Sequence, residues 1–303
     1  MKVLTDLAIR RLGVTPAQCV AWAEASLRSK PEADLPPKTW QHFPGDVFVN
    51  TMPCYIPSIN RYGVKVVTRH PGQHPALKSI ILLVDMSNGD CLVCMDGNWI
   101  TAMRTGAVAA LAGRTFMVDF QSSSIGFVGL GNIARATFDC LYSLFDRPHD
   151  VWLLRYKDQA EKFAMVYGDL PNVRFHLTDS REELVAKTQG LYSCVTVMND
   201  QFLAADAYPP GYTLIPVHTR GFQDCDVVFD KIFGDDTGHI KCFQHFNEFR
   251  HFAEFSDVLL GKVPGRQSSD ERIISYNIGL GLHDVWFASR IYDMEVCDGG
   301  SKA

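Results

Sequence analysis

Two stretches of this chain carry residue types at spacings that chemistry could use. In "SSIGFVGLGNIARATFDCL" the run Gly129-Leu130-Gly131-Asn132-Ile133-Ala134 follows a short apolar strand pattern and opens a helical one. A first glycine permits a tight turn there, a second lets a pyrophosphate approach the backbone, and Ala134 allows close helix–strand packing. The helix N-terminus attracts the phosphates. Gly129, Gly131, Asn132 and Ile133 are therefore expected to hold a dinucleotide. The end of the following strand should say which one, because NAD is met there by an acid and NADP often by a base. This chain reads "VWLLRYKD", with Arg155 and Lys157 at that point and Asp158 only later. A guanidinium grips a 2′-phosphate through two bonds, whereas a carboxylate repels it. The charges favour NADP(H); NAD(H) stays possible if Arg155 is only solvated or stacks on adenine.

The second stretch is "DGNWITAMRTGAVAALAGRTF", residues 96–116. Thr101 reads as an N-cap, which puts Arg104 where a capping box would carry Glu or Gln. A cation at that end opposes the helix dipole. The placement makes sense if an anion such as a substrate carboxylate sits there, shared with the free N–H groups; otherwise Arg104 turns to solvent or pairs with a local acid. His218, after the apolar run "TLIPV", falls at the carboxyl end of an expected parallel strand, where ligands of such sheets bind. It could exchange a proton with an imine or amine nitrogen, or merely pack in a loop. Cys91 and Cys94 imitate a metal pair, yet three residues apart on a strand they point to opposite faces. His245 and His251 lack helical ligand spacing and read as surface or interface residues, so no metal site is expected.

The elements that must position these groups follow from composition and pattern. The chain has 303 residues, 47% hydrophobic and 21% charged, with a net charge of −5 and no basic block. That excludes a nucleic-acid surface and suits a two-domain enzyme. Apolar runs such as "SIILLVDM" are strand length, too short for a bilayer, and the polar start "MKVLTDLAIRRLG" is no signal peptide, so a cytoplasmic protein is expected. Thr15 and Pro16 open a helix over 15–29. Short β-rich runs at 47–51, 63–68, 79–86 and 91–95, with an Asn88-Gly89 hairpin turn, predict a mostly antiparallel sheet. From Ser122 strands and helices alternate through "SIGFVG", "DVWLLR", "VRFHL", "YSCVTV", "TLIPV" and "DVVFD". Apolar strands separated by helices mean a parallel sheet covered on both faces. The expected fold is α/β, with a Rossmann-type doubly wound domain at 118–268. A discontinuous α+β substrate and dimerisation domain takes 1–117 and is completed by 269–303.

"MPCY" at 52–55, "VKVVT" at 64–68, "DMSNGDCLVCMDGNWITAMRTGAVAALA" at 85–112, "GLGNIA" at 129–134 and "GRQSSDERIISYNIGLGLHD" at 265–284 stand in the order, and nearly at the spacing, of one family. On these motifs the chain resembles the ornithine cyclodeaminase/μ-crystallin family over almost its whole length. The resemblance implies a homodimer formed across the β-structure of the substrate domain. It makes Arg104 a carboxylate-binding residue, Lys65 the lysine of a K-x-V motif that joins it, and Lys38 the counterpart of a further carboxylate-gripping arginine. Thr105, beside Arg104, is assigned to the cofactor. Cyclodeaminases carry an acid where this chain has Asn50 and an aspartate where it has His218; reductase-type members also lack that aspartate.

The reading is an NAD(P)-dependent oxidoreductase acting at the C–N bond of an α-amino or α-imino acid. Arg104, Lys65, Lys38 and Asn50 would bind substrate, while Lys65 and His218 would serve catalysis. The alternatives are a deaminating lyase that uses its cofactor transiently and a non-catalytic nucleotide-dependent binder of crystallin type. Neither nucleic acid nor membrane is an expected partner.

Overall fold

The computed structural model describes residues 1–196 and 198–300. They fall into two compact units, residues 1–104 with 280–300 and residues 105–279.

The first unit opens with β1 (Lys2–Leu4), α1 (Asp6–Arg11) and α2 (Pro16–Ser29). Thr15 caps α2 in a reciprocal box with Gln18, which satisfies two orphan donors of its first turn. Then come β2 (Thr39–Phe43), β3 (Val47–Ile56), β4 (Arg61–Arg69), β5 (Leu77–Asp85) and β6 (Cys91–Asp96). They form one sheet in the order β1-β6-β5-β4-β3-β2. All its pairs are antiparallel except β1 with β6. Along β3 every second residue from Asn50 to Ile56 is buried, as a sheet with one covered face requires. β1 and β2 are not announced by the sequence pattern: one has three residues, and every residue of the other is exposed, so neither offers an apolar alternation. Cys91 and Cys94 both lie on β6 as free thiols, but a register shift at Leu83/Val84 sets Cys91 opposite Val84 and Cys94 opposite Leu82, which share one face of the sheet, so the two do not alternate as a regular strand would make them.

The helix α3 (Asn98–Phe116) contains the division between the units, which falls after Arg104. The second unit continues with β7 (Ile125–Val128), α4 (Asn132–Tyr142), β8 (His149–Leu154), α5 (Gln159–Tyr167), β9 (Val173–Thr178), α6 (Arg181–Ala186) and β10 (Gly190–Ser193). After these come β11 (Thr213–Pro216), α7 (Gln223–Asp226), β12 (Lys231–Gly234), α8 (Thr237–Ile240), β13 (Phe252–Glu254), α9 (Phe255–Leu259) and β14 (Ile273–Tyr276). The sheet is parallel, in the order β13-β12-β14-β11-β10-β7-β8-β9. Its central strands β7, β10, β11, β12 and β14 are buried throughout, the burial expected of strands covered on both faces.

Three elements differ from expectation. "DVVFD" is not a strand: Asp226 ends α7, Tyr276 donates to its carboxylate at 2.7 Å, and the chain turns until β12 begins at Lys231. "IISY" is a strand at the heart of the parallel sheet, paired with both β11 and β12. Residues 269–279 consequently stay with the second unit, and the return to the first begins at Leu280. The Phe-rich stretch around residue 246 forms turns, one 3-10 turn (Phe246–Glu248) and β13, with Phe243, Phe246, Phe249 and Phe252 half-buried against the core. The strand expected over "YSCVTV" stops at Ser193; Val197, its last expected residue, lies outside the described residues, as do 301–303. The chain ends its described part in α10 (Gly281–Gly300), which belongs to the first unit.

Candidate active site

Lys65 stands on β4 directly between Met52 of β3 and Ile81 of β5, on the buried face of the first unit's sheet. Burying a lysine is expensive unless it is paired. The partner arrives on α10, which packs against this face so closely that a Cβ on Gly63 would lie 2.7 Å from Val285. Asp284, the residue before Val285, approaches Lys65 Nζ to 2.7 Å through Oδ2, while Oδ1 accepts from Arg104 Nε at 3.2 Å. Relative exposure is 1% for Lys65, 6% for Arg104 and 0% for Asp284. Burial and the neighbouring Arg104 guanidinium push the Lys65 ammonium down to about 8; Asp284 opposes them and Lys38 adds to them.

Lys38 precedes β2, half-buried, with its Nζ 4.6 Å from the centre of the Trp40 ring. Asn50 shares the buried face of β3 with Met52, and its Oδ1 has no hydrogen-bond partner. The structure thus brings Lys65 and Arg104 together with Asn50 on the same sheet face as Lys65, and Lys38 within electrostatic reach of Lys65.

Arg104 reaches this cluster by a route other than the one its sequence context suggests. Thr101 is not the N-cap. The helix already starts at Asn98, whose N–H donates to Asp96 Oδ1 at 2.8 Å, and Thr101 N–H donates to the Gly97 carbonyl as an ordinary helical bond. Asn98 Oδ1 in turn accepts from Ser79 N–H on β5 at 3.0 Å, which anchors the first turn to the sheet. Arg104 lies in the second turn, beyond the free N–H groups. Its cation is matched by the Asp284 carboxylate 180 residues away in sequence, not by a helix terminus. Asp284 itself went unassigned at the level of sequence, although an acid inside the apolar pattern "GLGLHDVWFA" is a signal that it must be buried and paired.

The second unit carries the glycine turn. Gly129 has φ +77°, and a Cβ on it would lie 2.7 Å from the Val195 nitrogen, so the residue must be glycine. Gly131 is the N-cap of α4, with no side-chain cap, and nothing lies within 4 Å of where its Cβ would be. Asn132 is exposed and Ile133 half-buried beside it, with Ala134 buried. This leaves open space against bare helical N–H groups at the carboxyl end of β7, a cradle that fits a pyrophosphate. Thr105 is buried on α3. Arg155, just past β8, is already held by Glu161 at 2.8 Å and Asp179 at 2.9 Å on the surface. Lys157 is exposed, with φ +54°, and its Nζ lies 5.3 Å from the centre of the Tyr156 ring. His218 follows β11, and its Nε2 lies 2.6 Å from Ser193 Oγ at the end of β10. Burial pushes its pKa down to about 4, against an opposing contact with the Arg220 backbone, so the ring is the neutral imidazole near pH 7, with a lone pair that can accept a proton.

The profile of the Ornithine cyclodeaminase/mu-crystallin family matches residues 2–298. Ketimine reductase mu-crystallin of Rattus norvegicus is 31% identical in an alignment of 260 residues that covers 81% of this chain and 80% of that protein. Among solved structures, the Delta(1)-pyrroline-2-carboxylate reductase of Thermococcus litoralis, in complex with NADH and L-proline, superposes with a TM-score of 0.85 at 20% identity, over 99% of this chain and 98% of that one. An archaeal alanine dehydrogenase dimer with bound NAD gives 0.84 at 20% identity, over 99% and 97%.

Proposed function

This chain belongs to the ornithine cyclodeaminase/mu-crystallin family, and on that premise we propose that it is an NAD(P)-dependent oxidoreductase acting at the C–N bond of an α-imino or α-amino acid. The charge of the Lys65–Arg104–Asp284 cluster carries the reading. Among the described residues, two buried cations there contact one buried carboxylate. A buried charge without its counter-ion costs several kcal/mol, so the cluster is electrostatically incomplete until an anion enters. A substrate carboxylate supplies that charge: Arg104 offers its remaining guanidinium N–H groups in a planar fork, and Lys65 a point charge. Holding the carboxylate at two cations fixes the adjacent α-carbon, and such positioning is a large part of rate enhancement. Relatives named for a ketimine, a pyrroline carboxylate and alanine support a substrate with the C–N bond next to the carboxylate.

The Gly129–Ala134 turn would hold the dinucleotide's pyrophosphate, with Thr105 contributing from α3. When bound, the nicotinamide supplies or accepts the hydride. His218 rests neutral, and the nitrogen's proton arrives with the substrate as a protonated imine, while Lys65 stays charged against the bound carboxylate. Asn50 and His218, where the resemblance places carboxylates in cyclodeaminases, favour net reduction over ring-closing deamination. For the cofactor we infer NADP(H) over NAD(H) from Arg155 and Lys157. The preference is limited because a 2′-phosphate must draw Arg155 away from Glu161 and Asp179.

The chain is a homodimer in this reading. The face of the sheet opposite Lys65 carries Val64, Val66, Leu82 and Cys94, half-buried, with Ile80 and Val3 54% and 66% exposed. A sheet face left to water would be polar, so a second copy covers it. No described helix is long and apolar enough to cross a membrane.

The test is an NAD(P)H-oxidation screen of 2-keto acids crossed with amines. Oxidation that requires both reactants, and that disappears in folded Arg104→Ala, is expected. Release of ammonia from diamino acids without net cofactor turnover would assign the lyase instead. Ligand binding with no turnover across the panel would leave a binding protein.

A further inference from the structure

His283 precedes Asp284 on α10 and is fully buried. Its Nδ1 lies 2.7 Å from Ser26 Oγ on α2, and the Ser26 hydroxyl donates back along its own helix to the Ala23 carbonyl at 2.8 Å. A hydroxyl has one proton to give. With that proton committed to Ala23, Ser26 can only accept from His283, which fixes the Nδ1–H tautomer. Nε2 is then a bare lone pair, and it has no hydrogen-bond partner. Buried polar atoms in native proteins nearly always find one. His283 is the chain neighbour of Asp284, the carboxylate that Lys65 and Arg104 share, and the fields of Arg104, Asp284, Lys30 and Lys65 reach its ring. Burial, with Arg104 next, pushes its pKa down to about 3, which keeps Nε2 an acceptor at any working pH.

We propose that His283 Nε2 accepts the N–H of the substrate's α-nitrogen, so that the site selects a protonated ketimine or an amine over a carboxylate bearing oxygen at that position. The inference rests on the carboxylate reading of Lys65 and Arg104. An α-nitrogen is bonded to the carbon that bears the carboxylate, so an anion docked at Arg104 brings its N–H to the same cluster. The protonated imine is also the better hydride acceptor, and an acceptor aimed at its N–H favours that form over the neutral one. His283 is thus a positioning and specificity residue; it moves no proton.

Two planar probes differ only at this atom: pyrrole-2-carboxylate carries N–H, furan-2-carboxylate an oxygen. Calorimetric titration of the full chain in the presence of NADP⁺ should show the pyrrole binding at least about tenfold more tightly, since the furan leaves Nε2 unpaired. His283→Phe should bind the two equally. Ser26→Ala, which keeps the imidazole but frees its tautomer, should fall between. In ¹⁵N spectra of the wild type the His283 Nε2 signal should be that of an unprotonated nitrogen, and should shift with the pyrrole but not with the furan. Equal binding of both probes by the wild type, a protonated Nε2, or a folded His283→Phe that keeps the preference would overturn the proposal. Failure of the wild type to bind either probe would overturn the carboxylate reading, and this proposal with it.

Discussion

Lys65→Met should make the protein more stable and at the same time deprive it of carboxylate binding. Lys65 is held at about 8 instead of its ordinary 10.5, so below pH 8 the folded chain carries that charge at a penalty of about 3 kcal/mol relative to the unfolded one. The sign follows from the lowered pKa. Between pH 8 and 10.5 the unfolded chain binds more protons than the folded one, so wild-type stability rises across that window as the penalty is relieved. Methionine fills nearly the same length without the charge, and Asp284 keeps Arg104 as its partner at 3.2 Å. Urea unfolding at pH 7 should therefore favour the variant by up to about 3 kcal/mol, and the advantage should vanish toward pH 10.5. Carboxylate affinity should fall about ten- to a hundredfold, the loss of one charge-assisted contact. Because a bound carboxylate raises the Lys65 pKa, titration at pH 9 in buffers of different ionisation enthalpy should reveal proton uptake in the wild type and none in the variant. A Lys65→Met protein that is less stable at pH 7, or that binds carboxylates unchanged, would refute the reasoning.

Three further outcomes are expected. Gly131→Ala should fold normally, since its φ is −84° and its Cβ meets nothing, yet lose at least about tenfold in dinucleotide affinity. Gly129→Ala should instead lower the melting temperature, because its backbone is left-handed and the new Cβ collides with Val195; equal behaviour of the two variants by calorimetry and fluorescence titration would contradict the cradle. Ile80→Glu should give a monomer by sedimentation, and a dimer that survives it would show that the face opposite Lys65 is not the interface. Arg155→Ala should abolish the discrimination between NADPH and NADH, while Glu161→Gln, which loosens the 2.8 Å clamp on Arg155, should strengthen the NADPH preference; tighter NADH binding by the wild type would reverse the inference.

What the sequence determined by itself was local. The Thr15–Gln18 box, the Asn88-Gly89 turn between β5 and β6, the alternation of β3 and the glycine turn before α4 are each written within a few residues. Their causes, capping, positive φ and side-chain period, act over the same distance. Arg104 was legible as a residue of interest from its place near a helix start, and Lys65 from the family resemblance, but their relation was not. Only the tertiary structure decided that α3 begins at Asn98, that "IISY" completes the parallel sheet, and that Asp284 joins two cations. Each of those outcomes is a pairing of distant segments. The helix start depends on Ser79 of β5 holding Asn98, and β14 depends on the gap between β11 and β12. Asp284 becomes the partner of Lys65 and Arg104 only when α10 returns to lie on β4. A buried charge takes its meaning from its partner, and the partner of Lys65 and Arg104 is supplied by the last helix of the chain.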